Sequence, residues 1–472
     1  MSFFTRSSGG LNVADLATRM YESSPVWFQN LGLSLYGMRL RRQRFGGVFA
    51  ATLADLRKSE RFTAAELKEL QNQRLRMLLE TAFRRVPYYR RLAQQHGWSA
   101  ERFDVDRISM LPVLEKALVR QQAADFVADG AAESGGISIN TSGTSGSPLT
   151  VRTTPAAVQR NYAFFWRYLE WHGARFGDRG VTFAGRTIVP QNQKGPPYWR
   201  RNYAMNALLC SSYYLSDESC PAYIDAISAF NPTFIDSYPS AIATLATFIN
   251  RERIAHRIAP RSVITSSETL LAPQREAIEM AFGCKARDHY GCAEMAALIT
   301  ECEHGSYHVN PEFGIVEILR DDGGACGHDE EGQLCLTGLV NDSMPLIRYM
   351  IGDRARWSDR SCGCGRAFPV IGALLGRTDD VIVTPEGRKV GRLDPAFKGA
   401  DGIVEAQIVQ TARDTVEVLV VGDAHFTDAA AAILVANLHA RLSDAMHISI
   451  RRVAAIPRGR NGKFRSVVSR MS

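Results

Sequence analysis

Up to about residue 110 the chain reads as mostly helical, with Leu75, Leu78, Leu79, Ala82 and Phe83 forming an apolar helical face that ends at the break Pro87-Tyr88-Tyr89. From Ile137 onward, short β-rich runs alternate with helical ones. Residues 181–183, 233–235 and 263–265 have the unbroken apolar texture of buried strands. Thr154 and Pro155 open a helix whose apolar face includes Tyr162, Phe165 and Tyr168, a hydroxyl cap followed by a residue that needs no N–H. This alternation predicts an α/β core. After Gly376-Arg377-Thr378-Asp379-Asp380 the texture changes. Residues 403–409 and 416–421 alternate like paired strands, a helix starts at a Thr427 cap, and residues 448–453 form a third strand. The expected division is a large domain over 1–378, helical over about 1–110, and a small α+β domain over 379–472.

With 472 residues the chain is long enough for more than one core. Its charge of +7 is spread along the sequence, which suits an anionic small molecule and gives little support to nucleic acid. One cluster, Arg39, Arg41, Arg42 and Arg44, follows an apolar stretch around Trp27, Phe28 and Leu31. Two readings compete, a helix lying on a membrane surface and a packed helix with a solvated basic face, and the second is favoured. No run reaches the apolar length of a membrane span, and the N-terminus lacks the pattern of a secretory signal, so a cytoplasmic protein is expected.

Four short runs carry candidate chemistry. In Thr141, Ser142, Gly143, Thr144, Ser145 and Gly146, after a short strand at residues 137–139, alternating glycines and hydroxyls suit a loop folded around a polyphosphate. The lysine of a Walker loop is missing. In Asp288-His289-Tyr290-Gly291-Cys292-Ala293-Glu294, an aromatic ring beside a carboxylate suits a purine, and Glu294 suits Mg²⁺ on phosphates. In Arg348-Tyr349-Met350-Ile351-Gly352-Asp353, the aspartate follows a strand and a glycine, where it can accept from ribose hydroxyls. Lys463 stands after Gly462 in the last segment.

The order of these runs resembles the adenylate-forming superfamily of acyl-CoA synthetases, peptide-synthetase adenylation domains and luciferases, from about residue 80 to the end. Val86-Pro87-Tyr88-Tyr89-Arg90, Leu111-Pro112 with Lys116, Cys362-Gly363-Cys364-Gly365-Arg366, Gly462-Lys463-Phe464-Arg465 and the stretch from Pro25 to Leu35 are similar to its phenylacetate-CoA ligase group, and within it to the CapK-like (capsular-polysaccharide-biosynthesis-like) branch. The resemblance implies a large multi-layer domain of mixed sheets with flanking helices, in which the 141–146 loop lines the ATP phosphates. It also implies that Ser266, Ser267 and Glu268 lie beside the adenine, that Tyr290 stacks on it with Asp288 facing its amine, and that Gly291 belongs to the same motif. Glu294 would hold Mg²⁺, Asp353 the ribose, and Arg377 the ribose or a phosphate. Lys463 would reach from a mobile small domain, turning about Asp379 and Asp380, to the substrate carboxylate and the α-phosphate.

The reaction so implied joins an aryl or arylacetic acid to AMP with release of pyrophosphate, then passes the acyl group to coenzyme A. Transfer to an amine is the alternative acceptor chemistry. A nucleotide-binding protein without turnover is a third reading, disfavoured because Lys463, Glu294, Asp353 and Arg377 occur together. Tyr238, Pro239 and Ser266 would contribute to the acid pocket, and Arg388, Lys389 and Arg392 would meet coenzyme A phosphates. Dimers occur in the resembling group, which leaves a homodimer open.

The nine cysteines suggest a second constellation. Cys302 with His308 and Cys362 with Cys364 form two short pairs whose thiolate and imidazole ligands suit a closed structural Zn²⁺ site. Cys326, His304 and His328 are the competing ligands.

Overall fold

A computed structural model describes residues 20–131, 136–140, 149–184, 188–190, 193–377, 382–385, 389–390, 393–397, 400–458 and 464–471. Among these, thirteen strands join in one sheet. Its middle is parallel: Ala207–Ser211, Gly180–Ala184, Phe234–Ser237, Ser262–Ser266 and Ala286–Gly291 lie side by side. The three apolar runs fall here, and Val181, Phe183, Ile235, Val263 and Ile264 are buried, as expected of parallel strands covered on both faces. The helices Cys220–Phe230, Pro239–Glu252 and Ala272–Phe282 pack against this part, each with proline in its first turn where a missing N–H costs nothing. Beyond Ala286–Gly291 the sheet turns antiparallel through Leu298–Glu301, Tyr307–Val309, Val370–Arg377, Tyr349–Trp357, Glu331–Gly338 and Gly314–Leu319.

Thr154 caps the helix Pro155–Trp171 by accepting from Ala157 N at 3.2 Å, and Tyr168 on its inner face is buried. Pro87 does end the helix Ala64–Arg85, but it also opens another, Pro87–His96. At the carboxyl end Ile403–Ala412, Thr415–Gly422 and His447–Arg452 form a separate sheet, with the Thr427-capped helix Asp428–His439 packed on it. A fourth strand, Val467–Ser469, adds in parallel to Ile403–Ala412, a pairing too short to announce itself in the sequence. The architecture is therefore α/β, a large multi-strand sheet with helices and a small α+β unit. Residues 378–381, where the boundary was expected, lie outside the described residues.

The helix Val26–Phe45 packs on the protein and Arg39, Arg41 and Arg42 are exposed, as the favoured reading had it, but Trp27, Phe28 and Leu31 are exposed as well, while Gln29, Leu33, Ser34 and Gly37 face the protein. Besides Leu33 and the Phe45 ring at the helix end, which packs against Tyr162 and Trp166, the inward contacts are polar. Arg200 Nε donates to Gln29 Oε1, Arg201 N to Asn30 Oδ1 at 2.9 Å, and Tyr203 N to Ser34 Oγ at 3.0 Å. Gly37 has to be glycine, because a Cβ there would stand 2.3 Å from the Asn202 side chain.

Candidate functional site

Parallel strands of an open α/β sheet deliver their following loops to one edge, where ligands bind. Here Ser237, Ser266 and Gly291 end three adjacent parallel strands. Ser267 turns the chain with φ of +71°, a left-handed conformation in which a glycine is the usual occupant. Glu268 then faces back into the protein. Its Oε2 accepts from Ser240 N at 3.1 Å, at the start of the helix Pro239–Glu252, and its Oε1 accepts from Phe464 N at 2.6 Å. Burial raises its pKa while the two N–H groups lower it. This carboxylate therefore ties the large sheet to the carboxyl-terminal segment 464–471, whose first residue follows Lys463 in the sequence.

Along Ala286–Gly291 the side chains alternate. Tyr290 Oη donates to Asp353 Oδ2 at 2.6 Å, and burial followed by the neighbouring carboxylate holds its pKa well above the ordinary value. His289, on the opposite face, sits among the rings of Phe165 and Tyr168, and burial lowers its pKa to about 4, so it is neutral. Asp288 departs from expectation. It was expected to face an adenine amine, but its Oδ1 accepts from Thr265 Oγ1 at 2.7 Å and its Oδ2 from Tyr307 Oη at 3.1 Å. The carboxyl is 7% exposed, and burial raises its pKa to about 6. Hydroxyls from the adjacent strand Ser262–Ser266 and from Tyr307–Val309, two strands away on the other side, thus draw it into the core.

Asp353 follows Gly352, whose φ is +88°, and pairs in register with Arg377 across two antiparallel strands. Arg348, five residues earlier, is fully engaged elsewhere, bidentate to Glu317 and bonded to the carbonyls of Ser109 and Leu111. Glu294 is buried, and its Oε1 meets Lys116 Nζ at 3.3 Å and Tyr349 Oη at 3.2 Å. The two-residue strand Leu114–Glu115 pairs in parallel with Tyr349 and Met350 and so carries Lys116 to Glu294. Lys116 and Tyr349 were quoted in the sequence without a role. Their partnership rests on that short strand, which leaves no periodic trace. The Cys292 thiol accepts from Ala296 N at 3.3 Å, and burial pushes its pKa up to about 12, so it is no nucleophile. The residues brought together are therefore Tyr290, Glu294, Asp353, Lys116 and Tyr349, with Ser266, Ser267 and Glu268 on the neighbouring strand end. Thr141, Ser142, Gly143, Thr144, Ser145, Gly146 and Lys463 lie outside the described residues, as does the side chain of Arg377.

Cys302, His308, Cys362 and Cys364 converge, with ligand atoms all within 4.8 Å of one another. Cys302 Sγ stands 3.6 Å from Cys362 Sγ, and Cys364 Sγ 3.4 Å from His308 Nε2. A tetrahedron with Zn–S and Zn–N bonds of ordinary length sets such pairs about 3.8 and 3.6 Å apart. His308 Nδ1 lies 3.1 Å from Phe368 O, the carbonyl contact that leaves Nε2 free to ligate. Cys326, His304 and His328 stand outside this group.

Residues 382–470 match the model of the CapK C-terminal domain family. Protein CapK of Staphylococcus aureus is 28% identical over 413 residues, covering 85% of this chain and 88% of that protein. The phenylacetate-coenzyme A ligase of Thermus thermophilus is 25% identical over 329 residues, covering 67% and 72%. Among solved structures, 2-hydroxyisobutyryl-CoA ligase in its postadenylation state, with an acyl-AMP bound, shares the fold with a TM-score of 0.67 at 19% identity, over 87% of this chain and 91% of that one. The chain is thus a protein of the adenylate-forming, phenylacetate-CoA ligase-like class. Within that class it is CapK-like.

Proposed function

We propose that the protein is an ATP-dependent ligase that activates a carboxylic acid, of the aryl or arylacetic kind, as its acyl-adenylate and transfers the acyl group to coenzyme A. The observation that supports this reading is the gathering of Tyr290, Glu294 and Asp353 beyond the strand ends, with Glu268 on the neighbouring strand end bonded to Phe464 N, the residue that follows Lys463 in the sequence. In the first step a carboxylate oxygen attacks the α-phosphorus, the bond to the bridging oxygen breaks, and pyrophosphate leaves. Lys463 lies against the charge that builds on the α-phosphate and the attacking carboxylate. Tyr290 stacks on the adenine, Asp353 accepts from the ribose, and the 141–146 loop with Arg377 receives phosphate oxygens. Glu294 supplies the single hard carboxylate that Mg²⁺ on phosphates takes, and Lys116 beside it adds a second cation for the leaving pyrophosphate. In the second step the small domain turns about Asp379 and Asp380, withdrawing Lys463, and the thiol of coenzyme A attacks the acyl carbon and expels AMP. Cys302, His308, Cys362 and Cys364 would hold a structural zinc, which would join two loops of the large domain and take no part in the reaction.

The test measures pyrophosphate release from ATP over a panel of aryl, arylacetic and aliphatic acids, without acceptor, with coenzyme A, and with mixed amines. Release that depends on the acid, a thioester formed with coenzyme A, and loss of both in Lys463→Ala with ATP still bound are expected. Acceleration only by an amine would overturn the acceptor, and no release with any acid would overturn the activation step.

A further inference from the structure

We infer that the helix Val26–Phe45 is a docking face for the surface of an anionic lipid bilayer, an inference independent of the catalytic reading. The helix is 20 residues long and packs on the protein through Gln29, Leu33, Ser34 and Gly37 and, at its end, Phe45, which leaves Trp27, Leu31, Leu35 and Met38 outside. Trp27, Leu31, Leu35 and Met38 recur four and three residues apart and form one stripe, with Phe28 beside it. Trp27 is 67% exposed, Leu31 47%, Leu35 54% and Met38 50%. Scattered exposed apolar residues are ordinary in a soluble protein, but a continuous stripe along one helix is a contact surface.

The charge identifies the occupant. The helix contains Arg39, Arg41, Arg42 and Arg44 and no acidic residue. Arg39 and Arg42 are exposed and continue the face of the stripe, since Arg39 follows Leu35, and Arg42 follows Met38, one helical turn on. An apolar stripe that sinks to the acyl boundary, an indole at the headgroup level and arginines reaching phosphates make up the composition of an interfacial helix. A second copy of this chain would bring an equal positive charge to the same face, so the anionic surface is the better complement. No helix among the described residues is long and apolar enough to cross the bilayer.

The test is sedimentation of the full chain with vesicles of phosphatidylcholine alone and of phosphatidylcholine mixed with phosphatidylglycerol, with sedimentation velocity of the protein alone in parallel. Binding to the mixed vesicles and weak binding to the neutral ones are expected. Affinity should fall about fivefold for each of Arg39→Gln and Arg42→Gln, and binding should disappear in the double variant Leu31→Asp, Leu35→Asp. These positions are exposed, so an unchanged melting temperature in each variant shows that folding is intact. Absence of binding, equal binding to neutral vesicles, or a dimer that Leu31→Asp, Leu35→Asp dissociates would overturn the proposal, the last by assigning the stripe to a second copy.

Discussion

Asp288 shows how much a single carboxyl can change its meaning between sequence and structure. Thr265 and Tyr307 take its two oxygens, and burial raises its pKa to about 6, above the value near 4 of an unfolded aspartate. The folded state therefore holds the proton more tightly than the unfolded chain. The contribution of this group to stability is fully present below about pH 4 and is lost as the pH rises through about 6, because the buried carboxyl must ionise. Two pKa units correspond to about 3 kcal/mol at neutral pH, a cost that the hydroxyl donors Thr265 and Tyr307 have already lessened. Asp288→Asn keeps the acceptor for Thr265 and removes the ionisation. Its melting temperature relative to the parent should accordingly rise between pH 4 and pH 7. A difference that does not change over that range would mean that the carboxyl titrates as an ordinary one.

At the scale of elements, the sequence announced those parts whose stability is local. The Thr154 and Thr427 caps, the proline-led helices and the buried strands each have a pattern that hydrogen bonding and burial impose within a few residues. The helix Val26–Phe45 was legible only in part, for a physical reason. Periodicity shows that a helix is two-faced, and only its neighbours decide which face turns in; here Arg200 and Asn202 offered polar partners to Gln29 and room only for Gly37. Lys116 stayed silent because its partner Glu294 is 178 residues away and the strand joining them is two residues long. The four ligands were legible as two short pairs, but their closure depends on the pairing of Tyr307–Val309 with Val370–Arg377, which brings the segment of Cys362 and Cys364 against Cys302 and His308. Purified protein should carry one zinc per chain by elemental analysis, and Cys364→Ser should carry far less. Chelation should lower the melting temperature by about 5 °C or more, since a closed site stabilises only the folded chain. Full stability without metal would remove the structural role.

Over the whole molecule the two sheets have separate cores, and their contact is what adenylation would exploit. Glu268 is central to that contact, because it joins the start of the helix Pro239–Glu252 to Phe464 of the carboxyl-terminal segment. The helix N-terminus favours a negative charge, which offsets part of the cost of burying this carboxylate. A hydrogen bond between a buried carboxylate and a backbone N–H contributes about 2 kcal/mol. Glu268→Ala should therefore dock the small domain less firmly and slow acid-dependent pyrophosphate release by about thirtyfold. The effect is specific to one half of the reaction. When a ready-made acyl-adenylate is supplied with coenzyme A, the variant should form thioester at the parent rate, because the contact to Phe464 would already be released in that step. Glu268→Gln, which keeps an acceptor for one of the two N–H groups, should fall between the two proteins. Equal loss in both half-reactions would make Glu268 a general support of the fold, and loss in neither would detach the Phe464 contact from catalysis altogether.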